Sequence, residues 1–305
     1  MADYLKENLA SELKVSGIAR WHSTSKASNL HKSHEFVKLY DCDLLDFSSV
    51  IKVLEKAQPD VIFHFASHAN VLLSFSNPIS VINNNVNSTL NLLEAIRTLK
   101  INPKVVAAST SEVYGLVTEK DSPINENLIM RPVSPYAVSK AFQDHLEFAY
   151  FKSFGIPIVR TRMFTYINPR RGDLFATSWA RQIVKIEKGE QTTLKHGNLD
   201  SVRTLLDVRD AMEAYWLAYK YGIPGEIYNI GGNVSIKVGD VLAYLLDLAR
   251  VQISYELDPE LIRPSDVTLQ IPDSSKFKSI SNWEPKYSPY DSMKFLIEES
   301  RRILA

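Results

Sequence analysis

The chain has 305 residues, 45% of them hydrophobic, with 35 Lys+Arg against 35 Asp+Glu and a formal net charge of zero. That composition belongs to a folded globular chain able to bury about three quarters of its unfolded surface, and it offers no basic stripe to a nucleic-acid backbone. Cys42 is the single cysteine, which excludes an intrachain disulfide and a thiolate metal centre; the absence of a ~20-residue apolar run or a signal-peptide pattern predicts a cytoplasmic chain with no membrane partner.

Leu5, Leu9 and Leu13 fall four apart, so residues 1–13 predict an amphipathic helix. Strands are predicted over 14–20 and 36–40, then a helix over 47–56 with Val50, Ile51 and Leu54 on one face. The apolar run 60–66 predicts a strand buried on both faces, and 79–99 predicts a long helix. A strand over 104–109, a helix over 135–154 and a strand over 156–162 follow. This alternation predicts an α/β chain with a doubly wound parallel sheet. After about residue 164 the pattern becomes irregular, apart from a helix near 175–188, and reads as a smaller α+β lobe. The expected division is 1–164 with 204–233 for a dinucleotide-binding domain, and 165–203 with 234–305 for a substrate lobe.

Ligands of such sheets bind beyond the carboxyl ends of the strands. There Ser109 leads into Thr110, Ser111 and Glu112, and the later segment Ser134-Pro-Tyr-Ala-Val-Ser-Lys140 places Tyr136 and Lys140 four apart on one helix face. A lysine ammonium one turn from a phenol favours the phenolate, which would let Tyr136 take a proton from a hydroxyl. Spacing alone is weak, since Tyr290 and Lys294 repeat it in a C-terminal amphipathic segment with no strand leading into it. His64 and His68 straddle a strand end and lack the acid of a zinc motif, so no metal is expected.

Taken together, these residues resemble the extended short-chain dehydrogenase/reductases of the NAD-dependent epimerase/dehydratase type, and among them the nucleotide-sugar 4,6-dehydratases. Further matching segments are Ala66-Ser-His-Ala-Asn70, Asn85-Val-Asn-Ser-Thr89, Pro169-Arg-Arg-Gly172, Gly197-Asn-Leu-Asp-Ser-Val-Arg203, Tyr228-Asn-Ile-Gly-Gly232 and Arg263-Pro-Ser-Asp266. The segments at 197 and 263 look most like the GDP-mannose 4,6-dehydratases and the similar reductases of their product.

The resemblance implies an internal redox cycle: Tyr136 deprotonates the C4 hydroxyl, Lys140 assists it, Thr110 holds the C4 oxygen, and Glu112 removes the C5 proton so that C6 loses water. A structural acid is the other reading of Glu112. The family's first strand and Gly-rich phosphate loop have no match, the chain starting at the helix that follows them. NADP is expected over NAD because Arg20 stands where an NAD site usually carries an acid, though a salt-bridged surface arginine reads the same. Asp43 and Leu44 match the adenine-contacting pair, and Phe65, Ala66 and Ser67 the stretch along the cofactor. Arg203 and Arg263 match diphosphate contacts, with Arg171 and Arg181 as further candidates for a GDP-sugar. A homodimer is implied, and a tetramer only if the single Arg20 suffices where relatives carry two arginines. The alternatives are an NADP-dependent reductase or epimerase of the 4-keto sugar, or a non-catalytic relative.

Overall fold

The computed structural model describes residues 1–21 and 28–305. Helix α1 (Ala2–Leu9) precedes β1 (Val15–Ala19) and β2 (Val37–Asp41), which pair in parallel. Then come α2 (Phe47–Ala57), β3 (Val61–His64), α3 (Val71–Ser76), α4 (Pro78–Leu99), β4 (Lys104–Thr110), α5 (Pro135–Phe154) and β5 (Ile158–Met163). The second half holds β6 (Tyr166–Ile167), α6 (Phe175–Glu187), β7 (Thr193–His196), β8 (Val202–Thr204), β9 (Leu206–Asp207), α7 (Val208–Tyr221) and β10 (Ile227–Ile230). It ends with β11 (Ser235–Lys237), α8 (Val238–Asp247), β12 (Ser254–Leu257), β13 (Leu269–Gln270), α9 (Ser275–Ser281) and α10 (Pro289–Ile303).

Strands β10, β5, β4 and β3 form, in that order, a parallel sheet. Successive side chains of a strand point to opposite faces, and β4 shows why this sheet is covered on both. Val105 and Ala107 pack with Leu92, Leu93 and Ile96 of α4 and with Val50 and Leu54 of α2, whereas Val106 packs with Ala211, Ala214 and Ala218 of α7. A doubly wound α/β fold results. A separate core joins Trp179 and Ile183 of α6, Val241 and Leu245 of α8, and Leu296 and Ile297 of α10. Around it the second half adds short pairings: β8 between β11 and β13, β7 with β12, and β6 with β9.

One expectation needs correcting. The run 60–66 is extended only over Val61–His64, and of that strand only His64 is fully buried, while Phe65 and Ala66 are exposed. The reason is position: β3 is the edge of its sheet, paired to β4 and, among the described residues, not hydrogen-bonded to β1. The first helix is also shorter than 1–13, and α3 and the strands of the second half go beyond the sequence reading.

Candidate active site

A cavity of about 2040 Å³ opens where the carboxyl ends of β3, β4 and β5 meet the second half of the chain, and Thr110, Glu112, Tyr136 and Lys140 all line it. Local rules place each of them. Thr110 ends β4 and caps the 3-10 turn Ser111–Tyr114, its hydroxyl accepting the Glu112 N–H at 3.3 Å, which fixes where Glu112 leaves the strand. That turn closes at Gly115 with φ +67°, where an added Cβ would stand 1.7 Å from the Arg131 carbonyl, so only glycine fits. Tyr136 and Lys140 sit in the first turns of α5, which starts sharply because the Ser134 hydroxyl accepts the Ala137 N–H at 3.1 Å and Pro135 presets the helical φ.

The Tyr136 phenol stands within reach of the Thr110 hydroxyl, which favours its ionised form. Burial pushes the Tyr136 phenol well above its ordinary value; the Thr110 hydroxyl and the Arg171 guanidinium oppose this, and the Glu112 carboxylate adds to it. The expected pull of Lys140 on the phenol is not expressed in this geometry. The Lys140 ammonium donates instead to the Ala108 carbonyl, and burial brings it down to about 8 against the opposing fields of Glu147 and Asp144.

Behind Lys140 lies a buried polar hub on α5. One carboxylate oxygen of Asp144 accepts from Arg160 at 2.9 Å, and the other from Arg162 Nε at 3.0 Å and the Ser109 hydroxyl at 3.1 Å. Arg162 also donates to the Tyr114 hydroxyl at 2.9 Å, which itself donates to the Asn229 side chain at 2.7 Å. The hub therefore ties α5 to the turn that carries Glu112. Sequence reasoning passed over Asp144, although it stands four residues beyond Lys140 on the same helix face.

Opposite the catalytic candidates stand Arg203 and Arg263. Arg203 is buried, donating to the carbonyls of Val202 and Val267. Arg263 is one-third exposed, with a guanidinium nitrogen 3.7 Å from a Glu112 oxygen and 3.6 Å from an Asp266 oxygen. Asp266, missed in the sequence although it closes the Arg263 motif, accepts from Asn198 at 2.9 Å and Ser201 at 3.3 Å. Arg171 also lines the cavity, held by Asp173 and reaching the Ala69 carbonyl. Arg181 does not line it: its guanidinium donates to the Pro169 carbonyl at 3.0 Å and lies 2.2 Å from where a Gly172 Cβ would be. It props the 169–172 loop from beneath, a role its charge alone could not reveal.

The cofactor candidates divide. Phe65 and Ser67 line the main cavity, and the Ser67 hydroxyl is buried with no hydrogen-bond partner among the described residues. Ala66 lies exposed between them. Arg20 and Asp43 instead line a separate shallow depression with Asp41 and Asp46, and Leu44 is a core residue whose carbonyl accepts from Asn91 at 2.8 Å. The structure does not bring these three to the main cavity.

The geometry can be set beside known proteins. Residues 2–294 match the family model described as GDP-mannose 4,6 dehydratase. GDP-mannose 4,6-dehydratase of Vibrio cholerae serotype O1 is 30% identical over 322 residues, covering 93% of this chain and 86% of that protein. GDP-6-deoxy-D-mannose reductase of Pseudomonas aeruginosa is 30% identical over 243 residues, covering 79% of this chain and 80% of that protein. The solved structure of RMD from Pseudomonas aeruginosa complexed with NADPH superposes with a TM-score of 0.81 at 27% identity, covering 90% of this chain and 94% of the other. The dehydratase relatives are hydro-lyases by name, and the match of fold, length and family model means that this chain belongs to the GDP-mannose 4,6-dehydratase family.

Proposed function

We propose that the protein is a nucleotide-sugar 4,6-dehydratase that converts GDP-mannose or a related GDP-sugar to the GDP-4-keto-6-deoxy sugar with NADP as its cofactor. The carrying observation is that Glu112 shares the cavity with the Thr110–Tyr136 pair while facing Arg263, so an acid–base pair stands beside cations suited to a diphosphate. The unpartnered Ser67 hydroxyl and buried Lys140 in the same cavity fit the nicotinamide end of a dinucleotide. NADP, bound there, would supply a hydride acceptor and donor to the sugar.

The residues do the proton work. Tyr136 takes the C4 hydroxyl proton in its phenolate form, its own proton having first left through the buried Lys140 amine, and Thr110 holds the C4 oxygen as C4 becomes a ketone. The ketone acidifies C5, whose proton passes to the Glu112 carboxylate. Protonated Glu112 then gives its proton to the departing C6 hydroxyl, which leaves as water. Arg203 and Arg263 hold the diphosphate, with Arg171 beside the sugar; residues 1–164 with 204–233 form the dinucleotide-binding part, and 165–203 with 234–305 the sugar-nucleotide lobe. Glu112→Gln is expected to cut solvent-deuterium incorporation at C5 by about 10²–10⁴-fold in a protein that still binds GDP. Deuterium NMR of the product checks this, and retained exchange would assign the C5 proton to another group.

The direct test is GDP-mannose supplied without reductant: a 4-keto product supports the dehydratase. Failure there, with turnover of the GDP-4-keto-6-deoxy sugar and NADPH, would establish the reductase alternative. That second reading has one support: burial pushes the Tyr136 phenol up from its ordinary value, towards the protonated form a ketone needs from a donor.

A homodimer is also proposed. On α5 the large apolar residues Val138, Phe142 and Phe148 are 46%, 50% and 40% exposed, a stripe that a second copy would cover. Phe142→Glu is expected to convert a dimer to a monomer in light scattering after gel filtration, and an unchanged mass would place the interface elsewhere.

A further inference from the structure

We propose that Gln270 reads the substrate: its side-chain amide hydrogen-bonds a hydroxyl of the sugar ring close to the diphosphate linkage. This rests on the reading of the cavity as a GDP-sugar site and gives the sugar itself a contact outside the proton-transfer residues.

Among the described residues, a few buried side-chain nitrogens and oxygens have no hydrogen-bond partner in the protein, and of these only the Ser67 hydroxyl and the Gln270 amide nitrogen belong to residues that line the cavity. Ser67 follows β3, whereas Gln270 sits on β13 beside Arg203. Gln270 is 2% exposed, and its buried Nε2 bonds to no protein group. A buried amide left without a partner costs about 1–3 kcal/mol, so the fold alone does not account for a glutamine here.

The strand register places that amide. β13 pairs in parallel with β8, Leu269 opposite Val202 and Gln270 opposite Arg203. Alternation along each strand puts Gln270 and Arg203 on one face, and these two line the cavity while Leu269 and Val202 do not. The chain is pinned on both sides of Gln270: the Val202 N–H donates to the Thr268 carbonyl at 2.7 Å, the Ile124 N–H to the Ile271 carbonyl at 2.8 Å, and the Asp273 N–H to the Ile124 carbonyl at 2.8 Å. The amide is therefore carried on hydrogen-bonded backbone, as a group that selects a ligand needs to be.

Chemistry decides which part of the ligand it meets. Phosphate oxygens only accept, and the guanidiniums of Arg203 and Arg263 suit them; a carboxamide both gives and accepts, as a hydroxyl does. With Arg263 3.7 Å from a Glu112 oxygen, a diphosphate on the arginines brings its sugar towards Glu112, and the hydroxyls nearest the linkage come alongside Gln270.

The test is calorimetric binding of GDP and of GDP-mannose to the full chain carrying Tyr136→Phe, so that the sugar is not consumed, with and without Gln270→Met, which keeps the length of the side chain and removes the amide. GDP-mannose affinity is expected to fall about 10–100-fold while GDP affinity stays within about twofold. The urea midpoint is expected to stay or rise, because no hydrogen bond within the protein is lost. Gln270→Leu serves if the Met variant does not fold, and failure of both makes the amide structural and overturns the proposal. Unchanged GDP-mannose affinity overturns it in favour of an amide held by solvent, and an equal loss for the two ligands in favour of a diphosphate contact. If GDP does not bind the native chain, the GDP-sugar reading falls first and this contact falls with it.

Discussion

Tyr136→Phe is expected to lower turnover of the GDP-sugar by about 10²–10⁴-fold, equivalent to about 3–5 kcal/mol of barrier, while leaving the fold and NADPH binding intact. The substitution deletes one oxygen from a side chain only 7% exposed, and the ring keeps its packing. What disappears is the phenol oxygen near Thr110 that, in the proposed mechanism, exchanges a proton with the C4 oxygen. Steady-state rates beside a nicotinamide-fluorescence titration read the two effects separately. A loss below tenfold would remove Tyr136 from the proton path, and a parallel loss of NADPH binding would make its role one of holding the cofactor.

The largest stability effect is expected at Asp144. Asp144→Ala should lower the unfolding free energy by about 3–5 kcal/mol, because it strands two buried guanidiniums, Arg160 and Arg162, without their shared carboxylate. The exposed Asp200–Lys237 pair is a built-in comparison: Asp200→Ala should cost no more than about 1 kcal/mol, although its ion pair is as short as that of Arg160 at 2.9 Å. Urea unfolding of both variants reads the contrast. Similar midpoints would mean that Arg160 and Arg162 find water or other acceptors once Asp144 is gone. Because Arg162 also holds Tyr114, two residues beyond Glu112, the damage should reach activity in molecules that remain folded.

The candidate cluster was legible in the sequence where local chemistry dictates structure. Ser134 and Pro135 announce the start of α5, and the spacing of Tyr136 and Lys140 puts them on one face whatever surrounds the helix. The alternation of strands and helices likewise carried the doubly wound sheet. What escaped depends on distant partners. Arg181 and Arg203 are equally cationic in the sequence, yet one supports a loop beneath Gly172 and the other lines the cavity, a distinction set by residues such as Val267 that lie far along the chain. The burial of β3 was overestimated because an apolar run reports that a strand is covered but not whether it has neighbours on both edges. The strands of the second half, two to four residues long, pair across long sequence separations and leave no periodicity to read.

The two parallel sheets have a mechanical consequence. Strands within one sheet are locked at about 4.8 Å by their hydrogen bonds, whereas β1–β2 and the sheet edged by β3 share no such bond among the described residues. The coupling between them runs through side-chain packing, chiefly α2 against α4, and through a few side-chain hydrogen bonds such as those from Asn91 to the Leu44 carbonyl and from Arg170 to the Asn29 carbonyl. A small slide or tilt of one unit against the other therefore breaks no strand-to-strand ladder and works against packing and those few bonds alone. Arg20 and Asp43 ride on the compliant unit, and Ser67 and Lys140 on the stiff one. A rigid ligand long enough to touch both would act as a strut, and its affinity would be governed by the stiffness of that joint as much as by any single contact.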